Sequence, residues 1–194
     1  TKDFVTAVDE HSIILVKELR EKETADEIDR IAKTIEETLN AETNSRVYIS
    51  SGTIVSDLKD VSRSYKEAKM ALEVGKIFET DKYIVNYEKL GIGRLIYQLP
   101  LPLCRMFIKE VLHGLTMDDF DDETLATVNK FFENNLNVSE TSRQLYIHRN
   151  TLVYRLDKLQ KMTGLDLRNF DDAIIFKITL MVSKYMIYMD KMAY

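Results

Sequence analysis

Cysteine, proline, glycine and tryptophan are scarce or absent in this chain of 194 residues, which has one Cys, two Pro, six Gly and no Trp. A lone cysteine excludes a disulfide framework and favours a reducing compartment, so a cytoplasmic location is predicted. Cys104 lies in the apolar segment LPLCRMFI without a nearby His or acidic partner. It is therefore interpreted as a small core residue rather than a nucleophile. So few helix breakers favour helices joined by short loops.

Long uninterrupted hydrophobic runs are also missing. The most apolar tract, AIIFKITLMVSKYMIYM, is interrupted by Lys177 and Lys184. This pattern excludes a membrane-spanning helix and favours a buried terminal helix. The start of the chain lacks the basic and then apolar pattern of a signal peptide. No membrane partner is expected.

Motifs that bind phosphates, cofactors or metals are lacking as well. The sequence has no GxxxxGK[ST] loop, and Gly91-Ile-Gly93 lacks the third glycine of a dinucleotide site. The three histidines, His11, His113 and His148, show no metal-ligand spacing. We therefore expect no enzyme activity, no cofactor and no metal.

Charge is distributed unevenly along the chain. The net charge is -5, yet residues 124–165 carry six Lys and Arg against three Asp and Glu. A basic segment in an acidic protein indicates an anionic partner. By charge alone a solvated helix face is the favoured interpretation, so the spacing of the residues has to decide.

Strands and helices alternate in the first half of the chain. Apolar runs joined by Asp-Glu-His predict a β-hairpin, and apolar residues at helical spacing predict two helices. The predicted elements are strands Phe4–Val8 and Ser12–Lys17, a helix with Ile28, Ile31, Ile35 and Leu39 after a Thr24 cap, strand Val47–Ser51, a helix with Val61, Tyr65, Ala68 and Leu72, and strand Tyr83–Val85. This order predicts an α+β domain with an antiparallel-rich sheet covered by helices on one side.

Only helices are predicted beyond Tyr87. They are Lys89–Gln98, Leu103–Leu112, Thr124–Asn135, Val138–Tyr146, Arg149–Met162 and Asp172–Lys191. Pro100 and Pro102 set a break between the first two. The run Asp118–Glu123 is interpreted as an acidic helix entry that starts the last domain.

Two short helices with a tight break between them form the most informative pattern. Val138–Leu159, VSETSRQLYIHRNTLVYRLDKL, predicts a helix-turn-helix with its break near Tyr146–His148. Ser139 is expected to cap the first helix, and Ser142 is small where the two helices must approach closely. The apolar residues expected to supply the internal core are Leu145, Ile147, Leu152, Leu156 and Leu159.

The second of these helices has two chemically distinct faces. Its three leucines fall within about one sixth of the helical wheel, and the polar residues occupy the remaining arc. Arg149 lies at the N-terminal end, where recognition helices contact base edges. Arg can donate two hydrogen bonds to guanine, Asn can pair with adenine, and Lys or Tyr can hold phosphates.

The stretch Phe131–Leu167 resembles the C-terminal DNA-binding domain of the PucR/CdaR regulators, which are bacterial transcription factors. The positions that carry this resemblance are Asn135 and Asn137, Thr141–Ser142, His148 to Arg155, and Gly164 to Asp166. The one visible departure is Ser142 in place of the usual Ala. The tract Val47–Leu72 is similar to the S-x-G … A-x-x-A-L tract of cyclase-type domains. The first domain therefore resembles the degenerate GGDEF-like domain that precedes this module in the same family.

An active diguanylate cyclase is the enzyme alternative. Its Gly-Gly-acidic-acidic-Phe turn should fall in the first hairpin, where this chain has Ala7-Val-Asp-Glu-His11. Both glycines are missing, and with them the backbone space for a nucleotide. Asp9 and Glu10 are accordingly interpreted as a solvated hairpin tip, and the domain is predicted to be catalytically inactive.

These observations and the resemblance predict a sequence-specific DNA-binding transcription regulator of the PucR/CdaR type. The expected domains are a GGDEF-like α+β domain with a ferredoxin-like sheet over 1–88, a helical connector over 89–117 and an all-α helix-turn-helix domain over 118–194, with helix 149–162 in the major groove. The expected partners are double-stranded DNA, a second copy in a homodimer, and a small-molecule effector sensed upstream of this chain. Control of a catabolic or metabolic operon is predicted. The alternative is an inactive GGDEF-like signalling module that acts through helical dimer contacts, with the Met- and Tyr-rich tail as the surface.

Nine residues are predicted to contact DNA. The predicted base contacts are Arg149, Asn150, Thr151 and Tyr154. The predicted phosphate contacts are Ser139, Thr141, His148, Arg155 and Lys158. A cap or packing role is the alternative for His148, Thr151 and Tyr154, and a local backbone hydrogen bond is the alternative for Asn150.

Overall fold

The computed structural model describes residues 2–20, 25–43, 46–79 and 82–192. The chain divides into two compact units, Thr1–Leu90 and Gly91–Tyr194. Each unit is described by itself below. None of the helices in the described ranges is both long enough and apolar enough to cross a membrane.

The first unit has the predicted order of elements. They are β1 (Phe4–Asp9), β2 (Ser12–Val16), α1 (Ala25–Thr43), β3 (Ile49–Ser51), α2 (Val61–Phe78) and β4 (Ile84–Asn86). The α+β class and the hairpin are therefore confirmed. The predicted Thr24 cap lies outside the described residues.

The sheet of the first unit differs from the prediction. The described strands form two separate two-stranded sheets, the antiparallel β1–β2 hairpin and a parallel β3–β4 pair in which Ile49 lies opposite Ile84. The expectation of one antiparallel-rich, ferredoxin-like sheet was wrong in this respect. The reason is that helix α2 connects β3 to β4, and a crossover helix returns the chain in the same direction, which makes the pair parallel.

Helix α2 packs against the β3–β4 pair and forms the core of the first unit. Ala71, Val74 and Ile77 of α2 are buried together with Val85 of β4. The start of α2 is tied to the loop after β3, because the backbone N–H of Thr53 donates to the Glu67 carboxylate at 3.0 Å and the Ser64 hydroxyl donates to the Thr53 carbonyl at 2.7 Å. The tract that resembles cyclase-type domains is thus a strand, a loop and a helix joined by their own hydrogen bonds.

The second unit contains helices, and no strand follows Asn86 in the described residues. Its helices are α3 (Gly93–Ile96), α4 (Leu101–Val111), α5 (Asp122–Glu133), α6 (Val138–Gln144), α7 (Arg149–Thr163) and α8 (Phe170–Met192). The last four agree with the prediction to within two residues at each end.

The predicted helix Lys89–Gln98 was wrong in extent. Residues 87–89 form a short 3₁₀ turn capped by Asn86, and Gly91 then takes a left-handed φ of 54°, which interrupts the helix. Helix α4 begins at Leu101 rather than Leu103, because Pro100 precedes the helix and Pro102 lies in its first turn. Proline is tolerated there, since the first N–H groups of a helix have no partner within it.

The core of the second unit is formed mainly by α5, α7 and α8. Phe131, Leu156 and Phe176 are at most 1% exposed, and the rings of Phe120 and Phe176 meet edge to face at 6.0 Å. Side chains from the segment 89–117, predicted as a connector, contact α8 within this unit: the ring centroids of Tyr97 and Tyr185 are 5.9 Å apart. Cys104 of α4 is 1% exposed, and burial raises the pKa of its thiol, in agreement with a core role.

Candidate nucleic-acid interface

Helix α6 begins at a cap two residues earlier than expected. The side chain of Asn137 accepts a hydrogen bond from the backbone N–H of Glu140 at 3.0 Å, and α6 starts at the next residue, Val138. The predicted cap Ser139 instead lies inside the first turn with an exposed side chain. The expectation that Ser139 caps α6 was therefore wrong. Because it is not used as a cap, the Ser139 hydroxyl is open to solvent.

The turn between α6 and α7 is closed by two backbone hydrogen bonds. The N–H of Tyr146 donates to the Arg143 carbonyl at 3.2 Å, and the N–H of Ile147 donates to the Ser142 carbonyl at 3.1 Å. This pair of bonds is the Schellman motif, which requires a left-handed residue just after the helix. Tyr146 supplies it with φ of 55°. The turn thereby sets the direction in which α7 leaves α6.

His148 caps the start of α7. Its Nδ1 accepts a hydrogen bond from the backbone N–H of Asn150 at 3.2 Å. A ring nitrogen that accepts a hydrogen bond carries no proton, so in the neutral ring the proton is on Nε2. The side chain is exposed, and this Nε2–H is free to donate outward. Capping and an outward contact are therefore compatible at this residue.

The inner face of α7 is the leucine stripe that the sequence predicts. Leu152, Leu156 and Leu159 are at most 1% exposed and belong to the core of the unit, and the half-buried Leu145 and Ile147 pack against the same core. The helix ends at Gly164, whose φ of 78° provides a left-handed stop.

The outer face of α7 presents polar side chains at its N-terminal end. Arg149, Asn150 and Thr151 are exposed, and Tyr154, one turn further on, is 68% exposed. Within the described part of the chain, the side chains of these four residues make no hydrogen bond or ion pair. All four lie in the first two turns of α7, and we call Arg149, Asn150, Thr151 and Tyr154 the exposed row.

Two of the predicted phosphate contacts have little or no access to solvent in this structure. Thr141 is fully buried at 0% exposure on the inner side of α6, so its hydroxyl cannot reach a phosphate. Arg155 has a side chain only 17% exposed, and its guanidinium donates to the Thr127 hydroxyl at 3.0 Å and to the Glu123 carboxylate. The expectation for Thr141 is corrected to a packing role, whereas Arg155 ties α7 to α5 and its contact with phosphate stays an untested prediction.

Lys158 is intermediate between the exposed row and the internally bonded Arg155. Its side chain is 49% exposed, and its ammonium lies 3.1 Å from the Asp121 carboxylate at the start of α5. The pKa of Asp121 falls from 3.8 to about 2, chiefly through the hydrogen bonds that the side chain and backbone of Thr124 donate, and further through Lys158. Lys158 can therefore reach a phosphate only by exchanging one anionic partner for another.

Most of the basic segment found in the sequence is neutralised locally. Lys130 pairs with Glu133, Arg143 with Glu140, Arg155 with Glu123 and Lys158 with Asp121. Among the described residues, Arg149 and Lys161 are the two cations of this segment without an ion pair. The uncompensated positive charge is thus on α7.

Two residues near the exposed row were not predicted. Lys161 is exposed and borders a shallow depression with Tyr154 and Lys158, and its spacing of three residues from Lys158 was a signal for the same helix face. Tyr146 is 96% exposed in the turn. Its position in the predicted break was visible in the sequence, but its left-handed backbone was not.

The first hairpin has the geometry of a polar tip. The Asp9 carboxylate accepts a hydrogen bond from the backbone N–H of His11 at 2.8 Å, and this bond lowers the pKa of Asp9. The carboxylate is thus used by the turn itself. Among the described residues no group of three or more His, Cys, Asp or Glu is placed to hold a metal ion.

Comparison with known proteins matches both units. Residues 124–182 match the PucR C-terminal helix-turn-helix domain, and residues 1–74 match a GGDEF-like domain. The chain is 28% identical over 132 residues to the purine catabolism regulatory protein of Bacillus subtilis (strain 168), covering 68% of this chain and 25% of that protein. It is 31% identical over 139 residues to the carbohydrate diacid regulator of Escherichia coli (strain K12), covering 72% of this chain and 36% of that protein.

The chain thus spans about a quarter to a third of the length of these curated relatives. A crystal structure of a regulator of polyketide synthase expression from Bifidobacterium adolescentis is also similar, at 23% identity over 63% of this chain and 50% of that chain. Its TM-score of 0.36 is too low to establish a shared overall fold.

Proposed function

Because the chain belongs to the PucR/CdaR-type transcription regulators, with a GGDEF-like domain followed by a PucR C-terminal helix-turn-helix domain, we propose that it binds duplex DNA sequence-specifically with α7 in the major groove. The observation that carries the proposal is the exposed row, which lies at the N-terminal end of a helix whose opposite face is locked in the core. A rigid helix with free polar side chains at that end suits base recognition.

The chemistry of the exposed row supports direct contact with bases. Arg149 can donate its fork of N–H groups to O6 and N7 of guanine, and the amide of Asn150 can pair with N6 and N7 of adenine. The Thr151 methyl and hydroxyl and the Tyr154 ring can contact neighbouring bases. Since none of these four side chains has a partner elsewhere in the described ranges, binding DNA breaks no internal hydrogen bond that they make.

Three of the predicted phosphate contacts remain in the proposal. The Nε2–H of His148 and the hydroxyl of Ser139 face solvent beside α7, and the ammonium of Lys158 lies on the same helix. Contacts of this kind fix the position of a protein on the duplex without selecting a sequence. Thr141 and Arg155 are left out because they are buried or bonded internally.

A second copy of the chain is part of the proposal. One helix-turn-helix contacts only a few base pairs, so two copies on paired half-sites would supply the missing specificity. By the names of the relatives, which refer to purine catabolism and to carbohydrate diacids, we propose control of a catabolic or metabolic operon. The small-molecule effector sensed upstream of this chain stays a prediction.

The experiment is to recover genomic DNA fragments bound by the purified chain and then to measure affinity by fluorescence anisotropy. Arg149→Ala and Asn150→Ala should each cost about 1–3 kcal/mol on the recovered operator and relax specificity. The control is Arg63→Ala on α2, which removes an exposed cation of the first unit and should leave affinity unchanged. Unchanged operator affinity for both α7 variants would disprove the docking of this helix.

The alternative, an inactive GGDEF-like module acting through helical dimer contacts, rests on the Met- and Tyr-rich tail. In the structure Tyr185 of this tail is 5% exposed, whereas Met192 is 63% exposed, so part of the tail belongs to the core. Salt separates the two functions, because DNA binding weakens steeply with ionic strength through counterion release and an apolar protein contact does not.

A further inference from the structure

Tyr146 combines two unfavourable properties at one position. Its side chain is 96% exposed, and its backbone has φ of 55°, in the left-handed region. A bulky L-residue is disfavoured there by the contact of Cβ with the following carbonyl, and glycine is the residue that avoids this cost. An exposed ring regains nothing by packing. The fold therefore needs the left-handed backbone at this position and makes no use of the ring.

The other non-glycine residues with positive φ are different in kind. Asn135 and His113 are of types that tolerate this region, and the half-buried Leu136 packs against the core. Tyr146 is of neither kind, since it is bulky and 96% exposed. No contact within the described residues accounts for a tyrosine ring at this position, so contact with an external partner is the remaining explanation.

The position of Tyr146 indicates which partner this is. It lies in the turn that joins α6 to α7, two residues before the His148 cap and three before Arg149, the first residue of the exposed row. Because it precedes the helix, docking of α7 in the major groove would bring its phenol to the border of the groove. Phosphates line that border, and a phenolic O–H donates readily to an anionic oxygen.

We propose that Tyr146 is a DNA-contacting residue whose hydroxyl donates to a backbone phosphate beside the groove that α7 enters. This inference rests on the proposed DNA binding of α7. A contact to phosphate is independent of sequence, and a neutral phenol releases no counterion. Tyr146 should therefore add affinity for all duplexes alike without changing the dependence on salt.

The test compares Tyr146→Gly and Tyr146→Phe with the unchanged chain, on the recovered operator fragment and on a duplex of random sequence. Tyr146→Gly should melt at the same temperature or higher, because glycine relieves the left-handed backbone. Both variants should bind each duplex about 10- to 150-fold more weakly, the range of one hydrogen bond to a charged acceptor. The slope of log affinity against log salt should stay the same.

Four outcomes would overturn the inference. Wild-type affinity of Tyr146→Gly would show that the ring contacts no DNA, and if Arg149→Ala still lost operator binding, the function proposed for α7 would stand. A loss confined to the operator would assign Tyr146 to a base rather than a phosphate. A change in self-association by analytical ultracentrifugation, with unchanged affinity per bound copy, would assign the ring to a contact between copies. Failure of the unchanged chain to bind either duplex would overturn both proposals.

Discussion

Replacement of Arg155 by Met separates a structural role from a DNA-binding role at a cationic position of α7. Methionine keeps the apolar stem but removes the guanidinium, which donates to the Thr127 hydroxyl and the Glu123 carboxylate. The Thr127 hydroxyl is satisfied by its own bond to the Glu123 carbonyl at 2.8 Å, so no buried group loses its only partner. The loss is the charged hydrogen bond and an ion pair whose acid is 69% exposed.

The lost hydrogen bond and the lost ion pair set the expected decrease in the free energy of unfolding. A hydrogen bond to a charged group contributes about 1.5–3 kcal/mol, reduced here because Arg155 keeps some contact with water. The ion pair to an exposed Glu123 adds about 0.2–1 kcal/mol. We expect Arg155→Met to lower the free energy of unfolding by about 1–3 kcal/mol, which corresponds to a melting temperature lower by about 2–4 °C per kcal/mol in a chain of this size.

The assay is urea unfolding followed by circular dichroism, with Lys161→Met as the matched control. Lys161 lies on the same helix, is exposed and has no ion pair in the described ranges, so its replacement should change stability by less than about 0.5 kcal/mol. The opposite result would be that Arg155→Met unfolds at the same urea concentration as the control but binds DNA more weakly, with a slope of log affinity against log salt that is smaller by about one. Arg155 would then be a phosphate contact, and the structural role argued from its burial would be refuted.

Two further predictions concern the same unit. Leu156→Ala should lower the free energy of unfolding by about 2–5 kcal/mol in urea titrations, because Leu156 is 1% exposed in the core. Ile174→Ala is the control, and it should lower the free energy of unfolding far less because this side chain is 41% exposed. Equal effects of the two replacements would mean that the leucine stripe is not part of the core. The pKa of Asp121 is depressed in the folded chain to about 2, so its stabilising charge is fully present above its unfolded pKa near 4 and is lost as pH falls towards 2. Asp121→Asn, which keeps a capping side chain, should flatten the decrease of stability over that pH interval, and an unchanged pH profile from urea midpoints would contradict the pairing with Thr124 and Lys158.

Local patterns were sufficient for the last four helices of the second unit. The spacing of Leu152, Leu156 and Leu159 places them on one face of a helix wherever the helix lies, and this face is the buried one. The positions that carry the family resemblance also have local structural roles. Asn137 and His148 cap helices and Gly164 ends one in a left-handed conformation, which are properties of a few consecutive residues.

Two of the errors came from residues whose surroundings are distant in sequence. Thr141 is polar and was expected outside, but the inner side of α6 faces the core and covers it completely. In the first unit, the parallel pairing of β3 and β4 depends on where α2 returns the chain, over a separation of more than thirty residues. Neither fact is contained in the local pattern of apolar and polar residues.

The sequence alone determined that this chain carries a helix-turn-helix with a leucine stripe inside and a polar helix start outside, because helical periodicity and capping act over a few residues. Only the tertiary structure decided which cations on α7 are free. Arg149, Arg155 and Lys158 are alike in the sequence, yet Arg155 and Lys158 meet Glu123 and Asp121, more than thirty residues earlier in the chain. Packing α5 against α7 brings those charges together, and it leaves Arg149 with its charge directed to solvent.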